Sequence, residues 1–316
     1  MKRRKDCKLV SIGDLVADLN VPVTKMPIQA NEHQVVEKIH YEPGGAGIFL
    51  ITGAHLGAQM YPLGVIGADL YGIEMLKIFK EQGIHTTQVL QQEDGTTTLV
   101  IVLADGRGNH VFLGQIGTGP EVPFPETWRQ VIRDADAVHG FGYTLSEDRL
   151  VETFLEAMSY AQKEQKPVFF DPGPSIKDVP FAIRQKALSF CSVLLLTEQE
   201  IPLLLPGTKG LVDAKNLLSD TLKLVVVKQG AKGSVAVTRE GQIAHPGYYV
   251  DVVDTTGAGD SFAAAFIIAS TQGYPLKDVL AIANAMGAAK VQKFGSGRQM
   301  PTLDEVRKVL EPGIDF

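Results

Sequence analysis

The chain has 316 residues, 45% of them hydrophobic and 21% charged, with a formal net charge of -6. That composition is ordinary for a globular protein, and the dispersed acids give no footing for nucleic acid or a bilayer surface. Two distant cysteines, Cys7 and Cys191, and seven unclustered histidines exclude a disulfide scaffold and a zinc site, and fit a reducing, cytoplasmic setting. The one basic run, Lys2-Arg3-Arg4-Lys5, lacks the apolar segment that would make it a signal peptide, and no stretch approaches the ~20 apolar residues of a membrane span.

Leu9–Gly13 reads as a short apolar strand ending at Gly13-Asp14, with Asp18 following, and acids at the C-terminal end of a strand lie where open α/β sheets bind ligands. Val21–Thr24 and Gln34–Tyr41 read as further strands, broken by Pro22 and Pro27. Gly44-Gly45-Ala46-Gly47 opens a helix through Leu56. A dinucleotide loop needs Gly-x-Gly-x-x-Gly directly after the first strand; here the third glycine is missing and the strand ended about 30 residues earlier. Met60–Ile66 is the next strand, and Gly67–Gly72 leads into a helix through Gln82. Thr96–Leu103 and His110–Leu113, joined around Asp105-Gly106-Arg107-Gly108, form a hairpin.

Helices at Pro125–Arg133, Glu147–Lys163 and Phe181–Phe190 then alternate with strands at Ala137–Gly140, Val168–Asp171 and Val193–Leu196. That alternation predicts an α/β fold: a mostly parallel central sheet with helices on both faces. Thr197-Glu198-Gln199-Glu200 falls at a strand end. Leu222–Val227 is a strand that turns through Lys228–Gly233 into Ser234–Thr238.

The chain is organised around Asp254-Thr255-Thr256-Gly257-Ala258-Gly259-Asp260-Ser261-Phe262. A strand over Tyr248–Val253 enters it and an apolar helix from Phe262 leaves it. Small residues at the start of a helix leave backbone N–H groups uncovered, and with the helix dipole they make an anion site. Asp260 would face that anion, which is unfavourable unless the carboxylate takes a proton from an attacking hydroxyl. Leu276–Val291 is a helix of small residues that includes Asn284, and Thr302 with Glu305 forms a capping box for a last helix.

The nine-residue string resembles the signature Asp-Thr-x-Gly-Ala-Gly-Asp of the ribokinase-like, or phosphofructokinase-B, carbohydrate kinases. The resemblance runs from Leu9 to Leu310 and implies an ATP- and Mg2+-dependent kinase acting on a hydroxymethyl of a sugar or nucleoside. By that resemblance Asp260 is the catalytic base, and Gly257, Ala258 and Gly259 hold the transferred phosphoryl group. Gly13-x-x-x-x-Asp18 resembles the family's first strand, which puts Asp18, more than Asp14, on acceptor hydroxyls, and Gly44 and Gly45 against the sugar. Thr197 stands for the family's Asn, Glu200 orders the magnesium shell through water, Lys228, Gly230 and Gly233 lie along the nucleotide phosphates, and Asn284 lies beside the adenine. Ribokinases place a monovalent cation such as K+ near the positions of Asp254 and Thr256. The resemblance also implies one domain over 1–316, a small β-sheet lid built by excursions at about 18–43 and 94–115, and a homodimer paired through that lid.

The chain departs from the family at Ile48-Phe49, and at Asp171-Pro172-Gly173-Pro174-Ser175, where members that take anionic sugars have Asp-Pro-Asn-x-Arg. Three rivals stand beside this reading. A vitamin-like alcohol kinase would lack the lid, and a silent sugar or nucleotide sensor would be free to lose Asp260. A Rossmann oxidoreductase has no fingerprint here, and the absence of Gly-x-x-x-x-Gly-Lys-Ser/Thr excludes a P-loop.

Overall fold

The computed structural model describes residues 7–105 and 109–316; the basic run Lys2–Lys5 and most of the expected turn at 105–108 lie outside the described residues. In chain order the elements are β1 (Lys8–Ile12), β2 (Val16–Pro22), β3 (His40–Pro43), α1 (Ala46–His55), β4 (Gln59–Leu63), β5 (Val65–Gly67), α2 (Leu70–Glu81), β6 (Leu90–Gln92), β7 (Thr98–Ala104) and β8 (His110–Gln115). They continue with α3 (Glu126–Asp134), β9 (Ala137–Phe141), α4 (Asp148–Lys163), β10 (Val168–Asp171), α5 (Phe181–Phe190), β11 (Val193–Thr197), α6 (Ile201–Leu204), β12 (Leu224–Lys228), β13 (Ser234–Val237), β14 (Gln242–His245), α7 (Ala258–Thr271), α8 (Leu276–Val291) and α9 (Leu303–Val309).

Eight strands form the main sheet in the order β14-β13-β12-β11-β10-β9-β1-β4, parallel from β12 to β4 and antiparallel at β13 and β14. Successive side chains of a strand point to opposite faces, so a strand covered on both sides must be apolar throughout. Leu9, Ala137, Phe169, Leu195 and Val226 join the core under α1, α7 and α8, whereas Val10, Val138, Phe170, Leu194 and Val225 join the core under α3, α4 and α5. A second sheet, β3-β2-β7-β8, stands apart from the first, with β2 and β7 parallel and its outer pairs antiparallel. Among the described residues, no helix is long and apolar enough to cross a membrane.

The element expectations differ from the structure in several places, the first being Val21–Thr24, of which only Val21 and Pro22 lie in a strand, at the end of β2. Met60–Ile66 is split at Gly64, where a Cβ would press on the Gly13 carbonyl, and β5 leaves to pair with β6. Of Gln34–Tyr41 only the end from His40 pairs in a sheet; the Gln34 amide instead closes a loop on Thr24 and Lys25. Tyr248–Val253 forms no strand, because β14 already fills that edge, and the Val253 N–H bonds the Val291 carbonyl at 2.7 Å. β14 itself was not anticipated, having mostly exposed residues and no apolar alternation.

Candidate active site

The parallel strands deliver their C-terminal ends to one edge of the main sheet. Asp171 closes β10 opposite Phe141 of β9, and Lys228 closes β12 opposite Thr197 of β11. The Lys228 ammonium donates to Asp171 Oδ2 at 2.6 Å. Just beyond β11, Glu200 Oε2 accepts from the Thr197 N–H at 2.7 Å in a capping box, which fixes the buried Glu200 carboxylate. Burial and then Asp171 raise the Glu200 pKa, with Lys228 opposing. Burial works to lower that of Lys228, but Asp171, Glu200 and Asp260 together raise it. The lysine therefore stays charged among carboxylates.

Helix α7 begins facing this cluster. Gly257, at its N-cap, has φ of 74°, a left-handed conformation, and a Cβ there would also meet Ile48 at 3.0 Å. No side chain caps the helix, so its first turn keeps N–H groups available to an anion. Lys228 Nζ would lie 3.5 Å from a Cβ on Gly259, which puts a positive charge against the loop. Asp260 occupies the first turn of α7, partly accessible but closely enclosed. Enclosure and then the Asp171 carboxylate raise its pKa to about 7, with Lys228 opposing.

Asp18, buried on β2, has its pKa raised to about 7 by burial and by the charge of Asp260. Its carboxylate lies so close to Gly44 that any side chain there would overlap it. Gly45 lies against Phe141, whose ring would be 2.8 Å from a Cβ. Phe141 stacks on Tyr143 at 5.1 Å. Burial raises the pKa of the Tyr143 phenol, followed by Asp260, Asp171, Glu200 and Asp18, so this hydroxyl looks onto the same carboxylates and remains protonated. Asp18, Gly44, Gly45, Glu200, Lys228 and Asp260 thus converge with three residues the sequence reading passed over as site residues: Asp171, Phe141 and Tyr143. Position at the end of a parallel strand was the signal for Asp171.

The other expected residues have partners of their own. The Asp14 N–H donates to Thr144 Oγ1 at 2.9 Å, and its buried carboxyl engages Glu147 and Thr98 near Arg149, at the root of the second sheet. Burial and then Glu147 raise the Asp14 pKa well above the ordinary range. Asn284 is buried, its amide donating to Ser234 Oγ at 3.0 Å and meeting His245 Nδ1 at 2.9 Å, so it fastens α8 to β13 and β14. Gly230 and Gly233 shape the turn between β12 and β13. The oxygens of Asp254 accept from the Thr256 N–H at 2.9 Å and the Gly295 N–H at 2.8 Å.

Three carboxylates, Asp171, Glu200 and Asp260, share the single ammonium of Lys228, leaving excess negative charge and hard oxygen donors that suit Mg2+. Among the described residues, no three His, Cys, Asp or Glu side chains could hold a metal by themselves. The ion would be completed by water and phosphate oxygens, a preference typical of Mg2+.

A profile described as pfkB family carbohydrate kinase matches residues 6–303. The chain is 29% identical to a ribokinase of Bacillus subtilis over 95% of this chain and 98% of that one. It is also 29% identical to an ATP-dependent ribose-1-phosphate kinase of Halopiger xanaduensis over 98% and 99%. The structure of an Arabidopsis thaliana ribokinase complexed with ribose and ATP superposes with a TM-score of 0.80 at 24% identity, covering 96% and 98% of the two chains. Fold and family together define a phosphotransferase with an alcohol group as acceptor. The chain belongs to the pfkB family of carbohydrate kinases.

Proposed function

We propose that this chain transfers the γ-phosphoryl group of Mg-ATP to a hydroxymethyl group of an uncharged sugar or nucleoside. The observation that carries this reading is the meeting of Asp260 and Lys228 with the uncapped start of α7 on one side and Asp18 with Gly44 on the other. Asp18 orients acceptor hydroxyls and Asp260 takes the proton of the attacking one. The N–H groups of Gly257, Ala258 and Gly259, with Lys228, stabilise charge on the transferring oxygens, the main demand of phosphoryl transfer. Mg2+, held through Glu200 by water, would neutralise phosphate charge. The Tyr143 phenol, still protonated, has a proton to donate to a ligand within the same space.

Two observations favour an uncharged acceptor. The acceptor side presents the Asp18 and Asp260 carboxylates, and the Arg that members taking anionic sugars carry after Asp171 is absent, Gly173 packing instead against the Tyr143 ring. The B. subtilis and H. xanaduensis relatives act, by their names, on ribose and a ribose phosphate. They support a pentose-like ring, and the charge of the site argues against the phosphorylated one.

We extend the proposal to the assembly: a single kinase domain over 1–316 with the second sheet as its lid, paired with another copy through that lid. Edge strand β8 leaves Val111, Phe112 and Leu113 exposed, with Ile116 beside them, and a second copy would cover them.

The test is ADP release from Mg-ATP across neutral sugars and nucleosides, run beside Asp260→Asn. The expected outcome is acceptor-dependent release that falls by roughly 10²–10⁴ in the variant. Release that persists unchanged in Asp260→Asn would remove Asp260 as the base, and ATP binding without turnover on any acceptor would favour a sensor.

A further inference from the structure

Lys290 follows the small residues of α8 near its C-terminal end, and its side chain is 0% exposed. Its ammonium donates to the carbonyl of Lys293 at 3.0 Å and to that of Asp254 at 3.3 Å, and stands 3.9 Å from Asp254 Oδ2. Burying an ammonium is unfavourable unless its protons are used. Here they meet backbone carbonyls and a carboxylate, the ligand set that a hard monovalent cation takes from a protein. Each carboxylate oxygen of Asp254 already accepts a backbone N–H, and the Lys290 ammonium sits on the two carbonyls that an ion beside it would need.

We propose that Lys290 is a tethered replacement for the monovalent cation that the resemblance places near Asp254 and Thr256, and that this enzyme works without K+. K+ does not fit these residues because a side-chain ammonium fills its place. Lys290 is a positioning residue. It holds Asp254, which through the Thr256 N–H fixes the turn leading into Gly257–Gly259. The Val291 carbonyl, next in the chain, accepts from the N–H groups of Val253 and Asp254 and braces the same turn.

The proposal rests on the kinase reading only for its activity readout, so Tm and ADP affinity, which need no acceptor, are measured as well. With K+ exchanged for tetramethylammonium at constant ionic strength, the wild type should keep its Tm, ADP affinity and turnover. Lys290→Met retains the alkyl chain and removes the ammonium; in tetramethylammonium its Tm should fall by roughly 5 °C. K+ or NH4+ should then restore the Tm, together with an ADP affinity or turnover weakened on the order of tenfold. Activation of the wild type by K+, or a rise of its Tm with K+, overturns the proposal without recourse to any variant. A folded Lys290→Met protein indifferent to K+ in Tm and ADP affinity overturns it as well. Loss of turnover on every acceptor, with these thermal and binding responses intact, would count against the kinase reading alone.

Discussion

Asp260 carries a proton up to about pH 7 in the folded chain, against 3.8 for an unperturbed aspartate, because enclosure and Asp171 disfavour its charge more than Lys228 favours it. An unfolded chain releases that proton first, so folding takes up a proton between these values and stability declines as pH rises from about 4 to about 7. Asp260→Asn removes this dependence. Its Tm should exceed that of the wild type at pH 8, and the gap should close towards pH 4. The role proposed for Asp260 needs the opposite state, since only the carboxylate could accept the hydroxyl proton. The acid limb of kcat/KM for the wild type should therefore fall near pH 7. A limb near pH 4 would mean that the free enzyme holds Asp260 ionised. Asp18 shifts in the same direction under the charge of Asp260, so the observed limb belongs to the pair.

At the scale of elements, the acceptor side depends on how closely α1 approaches β2. Gly44 precedes α1 and leaves no space between its Cα and the Asp18 carboxylate. Gly44→Ala must displace that carboxylate, and kcat/KM for the acceptor should drop roughly 10–100-fold while ADP affinity holds. Equal losses for acceptor and nucleotide would instead point to a general distortion of α1. The parallel strands, α1, α7 and α8 were legible in the sequence because each must be apolar on every covered face. Tyr248–Val253 has the same strand-forming composition but no neighbouring strand to bond, and Tyr249, Val252 and Val253 lie exposed. β14 pairs with β13 while reading as polar, since an edge strand owes its place to backbone bonds and not to apolar side chains. The turn from Gly257 to Asp260 was legible as an uncapped helix start because that needs only local residues. Phe141, Tyr143 and Lys290 were not, because what each touches is set by strands and turns far away in the chain.

At the scale of the molecule, arginines at two places help join the second sheet to the body. Arg298 after α8 pairs with Glu42 of β3 at 3.0 Å, and Arg149 at the start of α4 bonds the Thr118 carbonyl beyond β8. Between them the sheet extends with β8 as its open edge. If a second copy covers that edge, the wild type sediments as a dimer and Leu113→Glu as a monomer with an unchanged Tm at low concentration. A wild-type monomer at micromolar concentration would leave the exposed edge unexplained by pairing.

The second sheet has another property, written in its order β3-β2-β7-β8. Its central contact is the parallel ladder from Val16 against Thr98 to Pro22 against Ala104, made by stretches that the chain reaches at very different times. During synthesis β2 leaves the ribosome long before β7, and all of α1, β4, β5 and α2 must pass between them. Until β7 arrives, β2 and β3 have only each other, and a lone two-stranded hairpin is marginal in water. The second sheet is thus the part of the molecule that the order of translation obliges to wait, with β2 offering an unpaired edge to chaperones or to other nascent chains in the interval.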